Sequence, residues 1–240
     1  MTVSLPEKKV KKFLDMYENI SKKDWICIQE LAEIVGVMVS YSITMPFGPL
    51  FIKQLEIEKS NALKASKGSF SASMTLSSAG RKDLEWWAIN IQSNGAPISR
   101  APPSLTITTD ASGLGWGAVF ESGGQKTGGR WSNDELKFRS NINYLELLAV
   151  LLGVKSFLSV LSGHHVRLRI DNATAVAYIN HMGGTRSVAC NEVTRDIWMV
   201  AKSNNMWLSA VHLPGVQNCE ADKESRVFND ATEWMLNKVI

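Results

Sequence analysis

The chain has 240 residues, enough for one large or two small domains, and its net charge is only +3. That balance excludes a global basic field for coating nucleic acid. Three cysteines, Cys27, Cys190 and Cys219, lie far apart with no C-x-x-C pair. This argues against a zinc module or a disulfide scaffold and for a reducing, intracellular compartment, cytoplasmic or nuclear.

Residues 1–92 read as helical. Val10, Phe13, Leu14 and Tyr17 follow Pro6 at helical spacing. Trp25, Ile28, Leu31, Ala32 and Val35 form a second stripe, expected to end near Gly36. Pro46, Gly48 and Pro49 break the chain, and Leu50 to Leu63 is a weaker helix. Ser77 or Ser78 is placed to cap a fourth helix with Leu84, Trp87 and Ile91 on one face. The stripes read as core. Lys8, Lys9, Lys11, Lys12, Lys22 and Lys23 form a basic cluster that suits either nucleic acid or a solvated face. Residues 93–103 are rich in Ser, Pro, Gly and Ala and read as a linker, so a second domain is expected over 104–240.

That second part opens with Leu105-Thr-Ile-Thr-Thr-Asp110, an alternating strand ending on a carboxylate. Ala-Ser112-Gly supplies a turn, and Trp116, Ala118 and Phe120 resume the alternation. Lys126 to Trp131 is a third strand, and Asn143 opens a buried helix closed by Gly163. Glu146, Gly153 and Lys155 interrupt its apolar run, which excludes a membrane span. No apolar signal core follows Met1. Val166 to Ile170 is a strand ending on Asp171. Helices over 172–181 and 188–203, a strand over 207–211, a loop over 212–217 and a helix from about Ala221 to Leu236 complete the order. The order β-β-β-α-β-α-α-β-α predicts an α/β fold: a five-stranded mixed sheet flanked by helices, preceded by a small all-α region.

Four acidic residues stand out. Asp110 and Asp171 each end a strand expected to be central, at the rim where sites form in such sheets. Glu146 is expected in the first turn of an otherwise apolar helix face, where a buried carboxylate needs a cation. Asp222 opens the final helix. Singly they read as a turn former, a salt-bridge partner and a helix cap. Together they read as a shared metal site.

The phrases Thr-Asp110-Ala-Ser, Asn143-Tyr-Leu-Glu146-Leu-Leu-Ala-Val, Ile-Asp171-Asn and Asn218-Cys-Glu-Ala-Asp222 resemble the four motifs of type 1 ribonuclease H, in order. Gly-Trp-Gly-Ala-Val and His212-Leu-Pro-Gly-x-x-Asn218 are similar to the ribonuclease H domain of retrotransposon reverse transcriptases, especially DIRS-type elements. Residues 1–100 resemble, less specifically, a thumb and connection segment. The resemblance implies a metal-dependent endonuclease acting on the RNA strand of an RNA–DNA hybrid. It makes Asp110, Glu146, Asp171 and Asp222 the ligands of two Mg²⁺ ions, with Mn²⁺ as a substitute. It gives His212 a mobile catalytic role, and makes Ser112, Asn143, Asn172 and Asn218 candidate substrate contacts. It also implies an associated polymerase domain. No paired-aspartate polymerase signature is present, so the chain is expected to be the C-terminal piece of a polyprotein without primer-extending activity. The competing expectations are an inactive ribonuclease H fold retained for binding, and an integrase-like nuclease, which the early Glu146 disfavours.

Overall fold

A computed structural model describes residues 1–92 and 95–228. The chain divides into two compact units. One comprises Met1–Ala101 with His181–Asn191, the other Pro102–Asn180 with the chain from Glu192.

The first unit is built from α1 (Glu7–Ser21), α2 (Ile28–Tyr41), α3 (Lys53–Ala65) and α4 (Ser78–Asn90). The apolar spacing along these helices buries Phe13, Leu31, Ile34, Leu55, Leu84 and Trp87 almost completely, at roughly 1.5–3 kcal/mol each. Ser77 caps α4 by accepting from Gly80 N. α2 runs through Gly36, because Met38 and Tyr41 continue its buried stripe. Trp25, expected at the head of that stripe, precedes the helix and is 66% exposed. Ala96–Pro97, within the expected linker, pairs antiparallel with Thr2–Val3. Residues 93 and 94 of that linker lie outside the described residues.

The second unit holds the sheet. Its strands are β1 (Leu105–Ala111), β2 (Gly115–Phe120), β3 (Gln125–Arg130), β4 (His165–Ile170) and β5 (Trp207–His212), in spatial order β3-β2-β1-β4-β5. The first three form an antiparallel meander; β4 and β5 join parallel. The polar, glycine-containing β3 suits its place at an edge. The connecting helices are α5 (Ile142–Ser156), the single turn α6 (Leu158–Leu161), α7 (Ala173–Asn180), α8 (Val188–Ser203) and α9 (Cys219–Arg226). The architecture is the mixed five-stranded sheet flanked by helices that the motif order predicts. The last helix starts at Cys219 and stops at Arg226, where Val227 turns extended, short of the expected run to Leu236; residues 229–240 lie outside the described residues. No helix among the described residues is long and apolar enough to cross a membrane.

Two close approaches fix the layers. A Cβ on Gly153 would meet Ala118 Cβ at 2.9 Å and Thr109 Cγ2 at 3.2 Å, so α5 lies directly on the central strands. On the hairpin, a Cβ on Gly117 would meet Ala221 O at 2.3 Å and Ser225 N at 2.7 Å. Only glycine lets α9 sit there. Gly117→Val should therefore force α9 off β2 and cost about 1–3 kcal/mol or more by overpacking. Urea unfolding measures this; a variant as stable as the parent would mean that α9 is not docked at this strand.

Candidate metal centre

Register places the first two carboxylates. β1 and β4 are parallel with Thr109 opposite Ile170, and Ile170 is opposite His212 on β5. Asp110 and Asp171 therefore follow at one level on neighbouring strands, which in a sheet lie roughly 4.8 Å apart. The hairpin turn beyond Asp110 is pinned by Ser112, whose Oγ accepts from Leu114 N and Gly115 N and reaches Ser225 O at 2.7 Å. Trp131 Nε1 donates to Ser112 O at 2.8 Å from the third strand's end.

Asn141 caps α5 by accepting from Tyr144 N. Glu146 is thus the fifth residue of the helix, in its second turn rather than its first. From there it reaches the rim, accepts from the Ala111 N–H and joins the other two carboxylates. Ligand oxygens of Asp110, Glu146 and Asp171 lie within 4.8 Å of one another.

The electrostatics of this cluster are unfavourable as they stand. Glu146 is 3% exposed, and its Oε2 is buried with no hydrogen-bond partner. Burial first, then the charges of Asp110 and Asp171, push its carboxyl up to about 9. The salt-bridge partner expected for Glu146 is not found among the described residues; two carboxylates face it instead. Asp110, 3% exposed, is raised to about 6, chiefly by burial and then by Asp171 and Asp222, against the Ser225 hydrogen bond. An orphaned buried carboxylate oxygen within a convergent all-oxygen donor set fits a hard divalent cation.

Asp222 stands beside this group without joining it. It is the fourth residue of α9, not its cap; Asn218 holds the N-cap position. Arg226 grips Asp222 Oδ1 through Nε at 2.8 Å and Nη2 at 2.7 Å.

Two expected substrate contacts have other work. Asn218 is 1% exposed and donates through Nδ2 to Asp110 Oδ1 at 2.9 Å and to Thr109 O at 3.3 Å. Ser112 is 4% exposed and its hydroxyl is committed to the turn and to α9. Both side chains are buried at the rim as placed, Ser112 with its hydroxyl bonded within the turn and Asn218 with its Oδ1 left without a hydrogen-bond partner. Ser225 is the residue that the motifs did not single out: fully buried, it donates to Asp110 Oδ2 at 2.7 Å.

The two remaining asparagines stay at the rim, half-buried. Asn172 Nδ2 donates to Asn143 Oδ1 at 2.9 Å, while Asn172 Oδ1 caps α7 through Ala175 N. His212, exposed at the end of β5, places Nε2 3.1 Å from the Asp171 carbonyl oxygen.

No family model and no curated protein matches the sequence. Among solved structures, similarity is found to ribonuclease H1 from Halobacterium salinarum, at 17% identity and TM-score 0.38, over 50% of this chain and 92% of that one. LC11 ribonuclease H1 in complex with an RNA/DNA hybrid matches at 21% identity and TM-score 0.38, over 50% and 93%. The foamy viral protease–reverse transcriptase in complex with an RNA/DNA hybrid matches at 16% identity and TM-score 0.33, over 94% of this chain but 29% of that one.

Proposed function

We propose that the protein is a ribonuclease H-like endonuclease that hydrolyses the RNA strand of an RNA–DNA hybrid with the help of divalent cations. The convergence of Asp110, Glu146 and Asp171 within 4.8 Å carries the reading. A fold with no ligand to bind gains nothing from three facing carboxylates, one of them buried with an orphaned oxygen. In this reading Asp110, Glu146 and Asp171 hold the ions, and Asp222 completes the set from α9. Two Mg²⁺ ions, or Mn²⁺ in their place, supply a nucleophilic hydroxide and neutralise the leaving oxygen in such chemistry.

The chain's own residues divide the remaining work. Asn218 and Ser225 fix both oxygens of Asp110 from α9, so its orientation does not depend on the substrate. Asn143 and Asn172 offer amide groups at the rim for a ribose 2′-hydroxyl, the group by which RNA is told from DNA. His212 hangs over the Asp171 backbone, suited to moving a proton or easing product release. His212→Ala should slow turnover by a factor of roughly 10²–10⁴, the usual worth of acid–base help. Steady-state rates across pH 6–9 that match the parent's would remove His212 from the mechanism.

The motif wording further supports a retroelement reverse transcriptase origin, nearest DIRS-type elements, with residues 1–92 as a thumb or connection-like helical region, 93–103 as a linker and 104–240 as the nuclease domain. Lys8, Lys9, Lys11 and Lys12 are all exposed on α1 and suit contact with a phosphate backbone. An associated polymerase domain belongs to the same proposal. The second reading is a catalytically weak ribonuclease H fold kept for binding; the grip of Arg226 on Asp222 favours it.

The test is cleavage of a labelled RNA–DNA hybrid with Mg²⁺ or Mn²⁺, using single-stranded RNA, duplex RNA and duplex DNA as controls. Hybrid-selective cleavage abolished by chelator is expected. Cleavage that survives chelation, or that prefers duplex DNA, overturns the proposal; hybrid binding with no cleavage selects the second reading.

A further inference from the structure

Asp222 and Arg226 sit one turn apart on α9, both about half exposed, and two donors of one guanidinium close on a single carboxylate oxygen. The ligand oxygens of Asp110, Glu146 and Asp171 converge without Asp222. Asp222 is nonetheless near enough for its charge to act on Asp110, and Arg226 is the cation acting on Asp110 in the opposite sense. Arg226 in turn feels Asp222 first, then Asp110 and Asp171. The cation that acts on Asp110 is therefore a side chain already paired with the fourth carboxylate.

We propose that Arg226 competes with a divalent ion for Asp222, holding that carboxylate as an ion pair in the free protein. The inference rests on the reading of Asp110, Glu146 and Asp171 as a metal centre, and adds a residue that limits how readily a second ion loads. An i,i+4 pair ordinarily serves as helix-surface support. This one differs in its surroundings, because the carboxylate it occupies borders three others that make no salt bridge among the described residues. The pair is also half exposed, and ion pairs so placed are weak and screened by salt. A weak pair suits a competitor, since an incoming divalent ion can displace it. The arginine fork matters too, because a lysine would present one point charge in place of two aligned donors.

The experiment counts Mn²⁺ bound to the full-length free protein by electron paramagnetic resonance, at low salt and without nucleic acid. The parent should bind one ion well and a second weakly. Arg226→Met keeps the aliphatic stem and removes the charge; it should tighten the second ion by about tenfold, the effect of a unit charge on a divalent ion across several Å of water-like dielectric. Arg226→Lys should fall between the two. Asp222→Asn placed on Arg226→Met should erase the gain, which a merely structural role for the pair does not predict. Circular dichroism checks the fold, and Arg226→Gln replaces Arg226→Met should that variant unfold. Second-ion binding unchanged by loss of the charge overturns the proposal while leaving the metal centre standing. A parent protein that binds no Mn²⁺ overturns both.

Discussion

Asp110→Asn and Asp171→Asn should each leave almost no hybrid cleavage while the protein stays folded and still binds hybrid. Both side chains stand at one level on adjacent parallel strands, and both contribute to the convergent carboxylate group. Asparagine keeps the shape but removes the charge that attracts a divalent ion. For Asp110 the change also touches Asn218 and Ser225, which donate to its two oxygens. The amide keeps one acceptor and turns a donor toward the other partner, so one of those bonds must rearrange. Asp171→Asn has no such complication and is the cleaner test. Asp222→Asn should lose less, because its carboxylate lies outside the tight group and is already half neutralised by Arg226. Initial rates with saturating Mg²⁺, with hybrid affinity measured separately in chelator, decide the ranking. An Asp171→Asn protein that keeps even a tenth of the parental rate would sink the assignment of this rim as the reacting centre.

Much of this rim is legible in the sequence alone. Period-two alternation in Leu105–Asp110 and Val166–Ile170 is a local signal, and a carboxylate at each strand end is read directly. Their pairing needed only the inference that both strands are central. The fourth acidic residue was legible as a motif but not as a geometry. Asp222 and Arg226 are four apart on a helix, a spacing that signals an ion pair, yet nothing local says that this pair borders three other carboxylates. Asn218 and Ser225 were harder still. Ser225 meets Asp110 across 115 residues of sequence, and the contact exists because Gly117 lets α9 touch β2. A polar residue in a loop motif reads equally as substrate contact or as internal support, and burial decides between them. The run of α2 past Gly36 is hidden for a related reason: an isolated glycine looks like a stop until the buried stripe on its far side is weighed.

The stability of the metal-free protein should fall as pH rises, and divalent ions should remove that fall. Glu146 is raised in the folded state to about 9 from an ordinary 4.5, by burial and then by the charges of Asp110 and Asp171. Between those values the folded chain holds a proton that the unfolded chain has released. Stability from this group is therefore complete below about pH 4.5 and is lost progressively until the folded group itself ionises near 9. Asp110, raised to about 6, adds a smaller loss of the same sign at lower pH. Burial this deep makes the combined effect on the order of a few kcal/mol. Thermal unfolding in chelator should show Tm dropping from pH 5 to pH 9. Mg²⁺ supplies the missing counter-charge, so the drop should flatten when it is added, most visibly at the alkaline end. Glu146→Gln removes the larger titrating group and should flatten the profile above about pH 6 without any ion, leaving the smaller Asp110 loss below it. The same variant should be at least as stable as the parent in chelator at pH 8, and severely impaired in cleavage. That pairing of gained stability with lost activity is the mark of a carboxylate kept buried for its chemistry. A Tm profile that is level from pH 5 to pH 9 in chelator would mean that Glu146 has found its compensation elsewhere, and would take away the electrostatic demand on which the metal-centre reading depends.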